Sequence, residues 1–211
     1  MTLLRLLDPS TGQILIDDLD ISHLAPHDLR SRITSITQAG VFLPGTIRTN
    51  MDPRNLHSTT AILSALDAVT LLDLIEAKTH PDAGAGGLDA DLADLHLSHG
   101  QKQLFCLARA LLNPGRLVVL DEATSTVDEA TDRVMQRVIR ESFGGQTILS
   151  VAHRLEGILD YDRVVVLDGG EVVEEGDPFE LLEGGEETWF GRLWRAVQAE
   201  EGEEVGGAET A

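Results

Sequence analysis

Three features of the sequence predict an α/β layer fold: a mostly parallel sheet with helices, and an inserted helical segment at about residues 41–95. After residue 95, helix-period stretches alternate with short apolar runs, as layered α/β chains do. The run Leu117-Val118-Val119-Leu120 is apolar at every position, as a strand buried on both faces of a parallel sheet must be. Ile62, Leu63, Leu66 and Val69 recur at spacings of three and four with no strand among them.

Taken in order, Met1–Leu7 reads as the end of a helix, stopped by the turn residues Asp8-Pro9-Ser10-Thr11-Gly12. Gln13–Asp17 alternates as a strand, with Ile14 and Ile16 on one face. Pro26–Ser31 suits a short helix, and Ile33–Thr37 is a strand ending at Gln38. A loop follows over Ala39–Pro44, then a short helix opened by Thr46. Residues 58–76 read as helical throughout, with Ser58 or Thr59 as N-cap. Lys78–Gly87 is non-periodic and reads as a loop. Its Gly84-Ala85-Gly86-Gly87 has no following Lys and no preceding strand, so it reads as a linker rather than a phosphate loop. Helix Gln101–Leu112, strand Leu117–Leu120, helix Asp128–Ser142 and strands Thr147–Val151 and Val164–Leu167 follow. Asp168-Gly169-Gly170 turns the chain into Glu171–Val173. A short helix opens near Pro178, a last one covers about Thr188–Ala199, and the acidic, Gly-rich stretch from Glu200 is expected to be disordered.

A chain of 211 residues makes one domain with a substantial core. Sixteen basic against 36 acidic residues give a net charge of −20, which repels nucleic acid and anionic membrane surfaces. Much of it lies after Gly170, where 13 acidic residues face two basic ones. Aromatic content of 4% disfavours a platform for stacking single-stranded bases. The single cysteine, Cys106, cannot form an internal disulfide and points to a reducing compartment. No apolar run approaches the roughly 18 residues that cross a bilayer. By itself the chain is expected to be soluble and cytoplasmic.

Four constellations carry chemistry. In Leu117–Glu122 an apolar strand ends in two adjacent carboxylates. Ligand crevices of open α/β sheets lie at the carboxyl ends of strands. Asp121 there can hold Mg²⁺ against nucleotide phosphates, and Glu122 can orient or deprotonate a water. The competing reading is a solvated turn beside a helix start. In Leu97-Ser98-His99-Gly100-Gln101, Ser98 and Gln101 form a capping box. Gly100 is not explained by capping and implies a close approach to the backbone, which a phosphate at a helix N-terminus would make. His153 lies just past a strand end and can donate a hydrogen bond to a terminal phosphate. Gln38, also just past a strand, offers a carbonyl oxygen to a cation.

In this order the motifs closely resemble those of the ATP-binding cassette (ABC) family over about residues 1–195. Gln38 matches its Q-loop, Leu97–Gln101 its signature, Leu117–Glu122 its Walker B motif, Ser125–Asp128 its D-loop, and His153 its switch histidine. Gln103–Leu112, Leu43–Arg48 and Val151–Leu155 resemble the second nucleotide-binding domain of subfamily C exporters, the multidrug-resistance-protein type. His99 stands where the signature usually has a second Gly, and Ala39–Phe42 departs from the family's commoner pattern after the Q-loop. The chain has no G-x-x-x-x-G-K-[ST], and its only lysines are Lys78 and Lys102. The resemblance therefore implies a P-loop NTPase-like ABC ATPase core without its N-terminal strands and phosphate loop, the absent strand lying beside Leu117–Leu120. Residues 96–195 would carry the signature, Walker B and switch-histidine region, and 196–211 the end of the last helix and the tail.

What this implies is a motor domain, or part of one, that couples ATP hydrolysis to export across a membrane. ATP would be sandwiched between this domain and a second nucleotide-binding domain, with transmembrane domains as the other partners and the cytoplasmic membrane face as its location. Asp121 and Gln38 would hold Mg²⁺, Glu122 would be the base and His153 the γ-phosphate donor. Ser98, Gly100 and Gln101 would serve ATP bound on the partner, with Asp128 a contact across the dimer. Without a phosphate loop the chain alone is expected to be inactive. The alternative is a non-catalytic module or regulatory fragment that lends only its signature helix to another cassette.

Overall fold

The computed structural model describes residues 1–79, 87–152 and 154–206, and the side chains among them up to Ala199. It divides into two compact units, Met1–Val151 and Ala152–Ala211. Gly84–Gly86 of the expected linker lie outside the described residues.

The first unit is built on strand β4 (Leu117–Asp121). It pairs in parallel with β3 (Ile33–Thr37) on one side and β5 (Thr147–Val151) on the other, so that Thr37, Asp121 and Val151 stand level. Side chains alternate between faces along a strand. Val118 and Leu120 join a cluster with Ile36, while Leu117 and Val119 pack with Ile21, Leu29 and Ile33. Strand β4 is thus apolar on both faces because both are covered. The resemblance placed a missing strand beside Leu117–Leu120, and the pairing corrects this. Both edges of β4 are taken along its whole length, and the open edges among the described residues are those of β3 and β5.

Before β3, Met1–Leu7 forms turns rather than a helix, with Arg5 at a φ of 48°. A segment this short does not sustain a helix without packing that favours one. The predicted strand at Gln13–Asp17 shortens to β1 (Leu15–Ile16), which pairs with β2 (Leu19–Asp20) around Asp17 and Asp18, both at positive φ. Helix α1 (Pro26–Arg30) opens on its proline, as expected.

The segment 41–95 is helical. Thr46 caps α2 (Ile47–Met51) and Ser58 caps α3 (Thr59–Ala68). The stretch 58–76 is not one helix, however. It breaks at Thr70, whose φ is 60°, and restarts as α4 (Leu72–Lys78). Thr70 N–H donates to Asp67 O (2.8 Å) and Leu71 N–H to Leu66 O (2.9 Å), with Leu66 and Leu71 buried together. This is a Schellman C-cap with a Thr where Gly is usual. Ile62, Leu66 and Ile75 belong to the same cluster as Ile36, Val118 and Leu120, so the helical segment and the sheet share one core. Helix α5 (His99–Leu112) contributes Leu104, Phe105 and Leu107 to it, and α6 (Glu129–Phe143) contributes Met135, Val138 and Phe143.

The second unit holds β6 (Val164–Asp168) and β7 (Glu171–Gly176), an antiparallel pair turned at Gly169 and Gly170, both at positive φ. Asp177 caps α7 (Pro178–Glu183). The Glu174 carboxylate accepts from the backbone N–H of Trp189 (3.0 Å) and Phe190 (2.7 Å), closing the start of α8 (Trp189–Gly206). Helix α8 takes in Glu200–Gly206, which composition assigns to the tail; the four Glu residues of that stretch are good helix formers. Leu155, Val164, Val166 and Phe190 form this unit's core. Among the described residues no helix is long and apolar enough to cross a membrane.

A β-branched residue in the left-handed region costs on the order of 1–3 kcal/mol, and glycine removes that strain at a smaller entropic cost. Thr70→Gly is therefore expected to stabilise the chain by about 0.5–1 kcal/mol in urea unfolding, and a loss of stability would contradict the capping account.

Candidate functional site

Gln38 and Glu122 are the first residues beyond the level ends of two adjacent parallel strands. The Gln38 amide nitrogen donates to Ser125 Oγ (3.3 Å), and Ser125 Oγ donates to Glu122 O (2.9 Å). Ser125 thus joins the two strand ends. Asp121 is exposed and Glu122 half-buried. Glu122 N–H extends the ladder to Val151 O (3.0 Å), yet its φ is 49°. A non-glycine residue held there signals a backbone fixed by its surroundings, a conformation that clusters at functional sites.

With its nitrogen engaged, Gln38 keeps its carbonyl oxygen as a donor atom for a cation. Among the described residues, no three His, Cys, Asp or Glu side chains gather as a metal cage. One carboxylate and one amide oxygen do fit Mg²⁺, which takes few protein ligands and completes its shell with phosphate oxygens and water.

The N-terminus of α5 forms a second cluster. Ser98 Oγ accepts from Gln101 N–H (3.2 Å), and Gln101 Oε1 accepts from Ser98 N–H (2.9 Å), the expected capping box. Gly100 is buried, and the close approach it permits is to α6. A Cβ at Gly100 would sit 2.9 Å from Thr131 Oγ1 and 3.3 Å from Asp128 Oδ2. The sequence reading of Gly100 as a phosphate contact therefore gains a second explanation, packing between helix starts. Asp128 caps α6, accepting from Thr131 N–H (3.0 Å) and Thr131 Oγ1 (2.8 Å). These bonds, the backbone one first, hold its carboxyl below the ordinary range. A lowered value stabilises the fold above the unfolded pKa of about 4, and the contribution fades as pH falls through the folded value. His99 Nδ1 lies 3.3 Å from Thr126 Oγ1, tying α5 to the same loop.

The structure thus brings Gln38, Asp121 and Glu122 to one end of the sheet and sets Ser98, Gly100 and Gln101 by Asp128. The loop 122–128 runs between the two groups. His153 lies outside the described residues. Sequence reasoning missed Gln103, buried on α5, whose amide donates to Thr37 O (3.3 Å) and to Gln38 O. Its signal was a polar residue within the apolar stripe Gly100, Gln103, Leu104, Leu107 and Ala108. Cys106 is a packing residue, its thiol pushed up by burial against the pull of Arg109.

The family profile described as ABC transporter matches residues 1–125, more than half of the chain. The chain belongs to the ABC transporter family. ABC multidrug transporter B of Aspergillus fumigatus is 50% identical over 199 residues, covering 94% of this chain and 13% of that protein. ATP-binding cassette sub-family C member 10 of Mus musculus is 43% identical over 183 residues, 86% of this chain and 12% of that one. The metal resistance protein YCF1 of Saccharomyces cerevisiae is 41% identical over 192 residues, 90% of this chain and 12% of its own. This ABC domain therefore spans only about an eighth of the curated relatives' length. Among solved structures, a bacterial Atm1-family ABC exporter with ATP bound superposes with a TM-score of 0.82 at 32% identity. The match covers 94% of this chain and 34% of that one. The α/β fold with its parallel sheet is that of an ABC exporter's nucleotide-binding domain.

Replacing a helical Gly by Ala normally stabilises by about 1 kcal/mol. At Gly100 the Thr131 side chain stands in the way, so Gly100→Ala is expected to destabilise the ABC domain by a similar amount. In a Thr131→Ala background the penalty should vanish. Urea unfolding of the four proteins of that cycle checks this, and a stabilising Gly100→Ala in the parent would refute the helix-start packing.

Proposed function

We propose that this ABC domain is the ATP-binding and ATP-hydrolysing motor of an exporter, coupling hydrolysis to movement of a substrate across a membrane. The observation that carries the reading is the pair Asp121–Glu122 leaving a central parallel strand beside Gln38, with Ser125 bonded to both strand ends. The exporter likeness at 32% identity supports the same direction of transport.

Asp121 and Gln38 would hold Mg²⁺ through their oxygens, and the ion, bound with ATP, would neutralise phosphate charge. Glu122 accepts a proton from the attacking water. Its half-buried setting, with the backbone anchored to Val151, keeps it where the strand ends. His153 is assigned as the hydrogen-bond donor to the γ-phosphate. The N-terminus of α5, with Ser98, Gly100 and Gln101, serves ATP held by a second nucleotide-binding domain, and Asp128 contacts that domain. Preorganised donors of this kind act most strongly once closure has excluded water. The remaining partners are transmembrane domains, which place this domain at the cytoplasmic face of a membrane. The charge of −20 argues against a nucleic-acid partner.

The test is made in a full-length transporter carrying this domain. Glu122→Gln keeps the shape but removes the base, so turnover at this site should fall about 10²–10⁴-fold while nucleotide binding survives and trapped ATP accumulates. Asp121→Asn should instead weaken Mg²⁺-ATP binding. A Glu122→Gln transporter hydrolysing at the parental rate would show that the chemistry belongs to the partner domain.

A further inference from the structure

Helix α5 carries side chains that the chemistry above does not use. Gln103 is 1% exposed, its amide donates to Thr37 O and Gln38 O, and its carbonyl oxygen is buried without a partner among the described residues. A buried amide with half its capacity unmet is costly. Met would fill the space without that cost, so packing alone does not account for a Gln. What the Gln adds is a grip on two successive carbonyls at the point where β3 ends and Gln38 begins.

The grip continues along the helix. One turn on, a Cβ at Gly40 would collide with Cys106 Sγ, so the loop lies directly on the helix. Another turn on, Arg109 Nη1 donates to Val41 O (2.8 Å), and its guanidinium lies 5.5 Å from the Phe42 ring centre. From the other side, the Gln38 side chain reaches Ser125, Ser125 reaches Glu122 O, and Thr126 returns to His99 on α5. These contacts close a ring: α5, Gln103, Gln38, the 122–126 turn, His99, and α5 again.

We propose that Gln103 is a positioning residue that holds the Gln38 backbone against α5 and so sets the orientation of the metal-facing end of β3. It touches neither nucleotide nor metal and acts through Gln38. The proposal rests on the reading of Gln38 as a Mg²⁺ ligand.

The test titrates Mn²⁺ as the bound metal, read by its electron paramagnetic resonance with a non-hydrolysable ATP analogue, in a full-length transporter carrying this domain. ATP turnover against free Mg²⁺ is measured beside it, and the midpoint shifts below are expected in both readouts. Residues that orient a metal ligand typically affect metal affinity 10–100-fold. Gln103→Met is expected to raise the half-saturating Mg²⁺ about tenfold while turnover at saturating Mg²⁺ stays within about threefold. Gln103→Asn keeps the amide but withdraws it from the two carbonyls; it should shift the midpoint the same way and covers the case in which the Met variant does not fold. Leu107→Val, a stability control on the same helix, should leave the midpoint in place. Gln38→Ala should raise it, and Gln103→Asn added to Gln38→Ala should raise it no further. If Gln38→Ala shifts the midpoint and neither Gln103 variant does, the positioning role is overturned. If Gln38→Ala itself shifts nothing, the metal-ligand reading fails and the proposal fails with it.

Discussion

Among the described residues strand β4 has no free edge, and apolar side chains pack on both its faces, Val118 and Leu120 buried and Leu117 and Val119 half-buried. Its backbone is bonded to β3 and β5 over five residues, and its side chains divide between two apolar clusters. A strand so enclosed must be apolar along its length, so its first carboxylate can appear only where the enclosure ends. That point is Asp121, level with Thr37 and Val151. Polar chemistry is thereby concentrated at one end of the sheet, next to the residue that leaves β3. The site is a consequence of how the central strand is buried.

The turn after β4 then does two things. Glu122 adopts a left-handed backbone while still bonding to Val151, and Ser125 folds back onto Glu122 O while receiving Gln38. Three residues after Ser125, Asp128 caps α6 and presses, with Thr131, against Gly100. One short loop therefore joins the strand-end cluster to the start of α5. Displacing either cluster displaces the residues they share.

Much of this was legible in the sequence, for local reasons. Ile33–Thr37 and Thr147–Val151 keep their predicted bounds because β-branched runs flanked by polar residues leave little choice. Thr46, Ser58, Ser98 and Asp128 cap the helices they precede because each offers an acceptor to an otherwise unpaired N–H. What could not be read was non-local. Thr70 breaks a helix without Gly or Pro because Leu66 and Leu71 pack together. Strand order depends on crossovers, so β4 was taken to have a vacant neighbour when both its edges are filled. Gly100 was legible as a close approach, but that the approaching group is α6 needed the fold. Gln103 has no motif of its own to mark it, and only its position in the apolar stripe of α5 does so.

The central claim is that the carboxyl ends of β3 and β4 hold the metal. It is tested most directly by replacing Mg²⁺ with Fe²⁺ in an ATP-loaded, full-length transporter carrying this domain and mapping oxidative backbone cleavage around the bound iron. The account predicts ATP-dependent cuts near Gln38 and near Asp121–Glu122, competed away by Mg²⁺. Cleavage elsewhere in the domain, or at these positions without ATP, would contradict it.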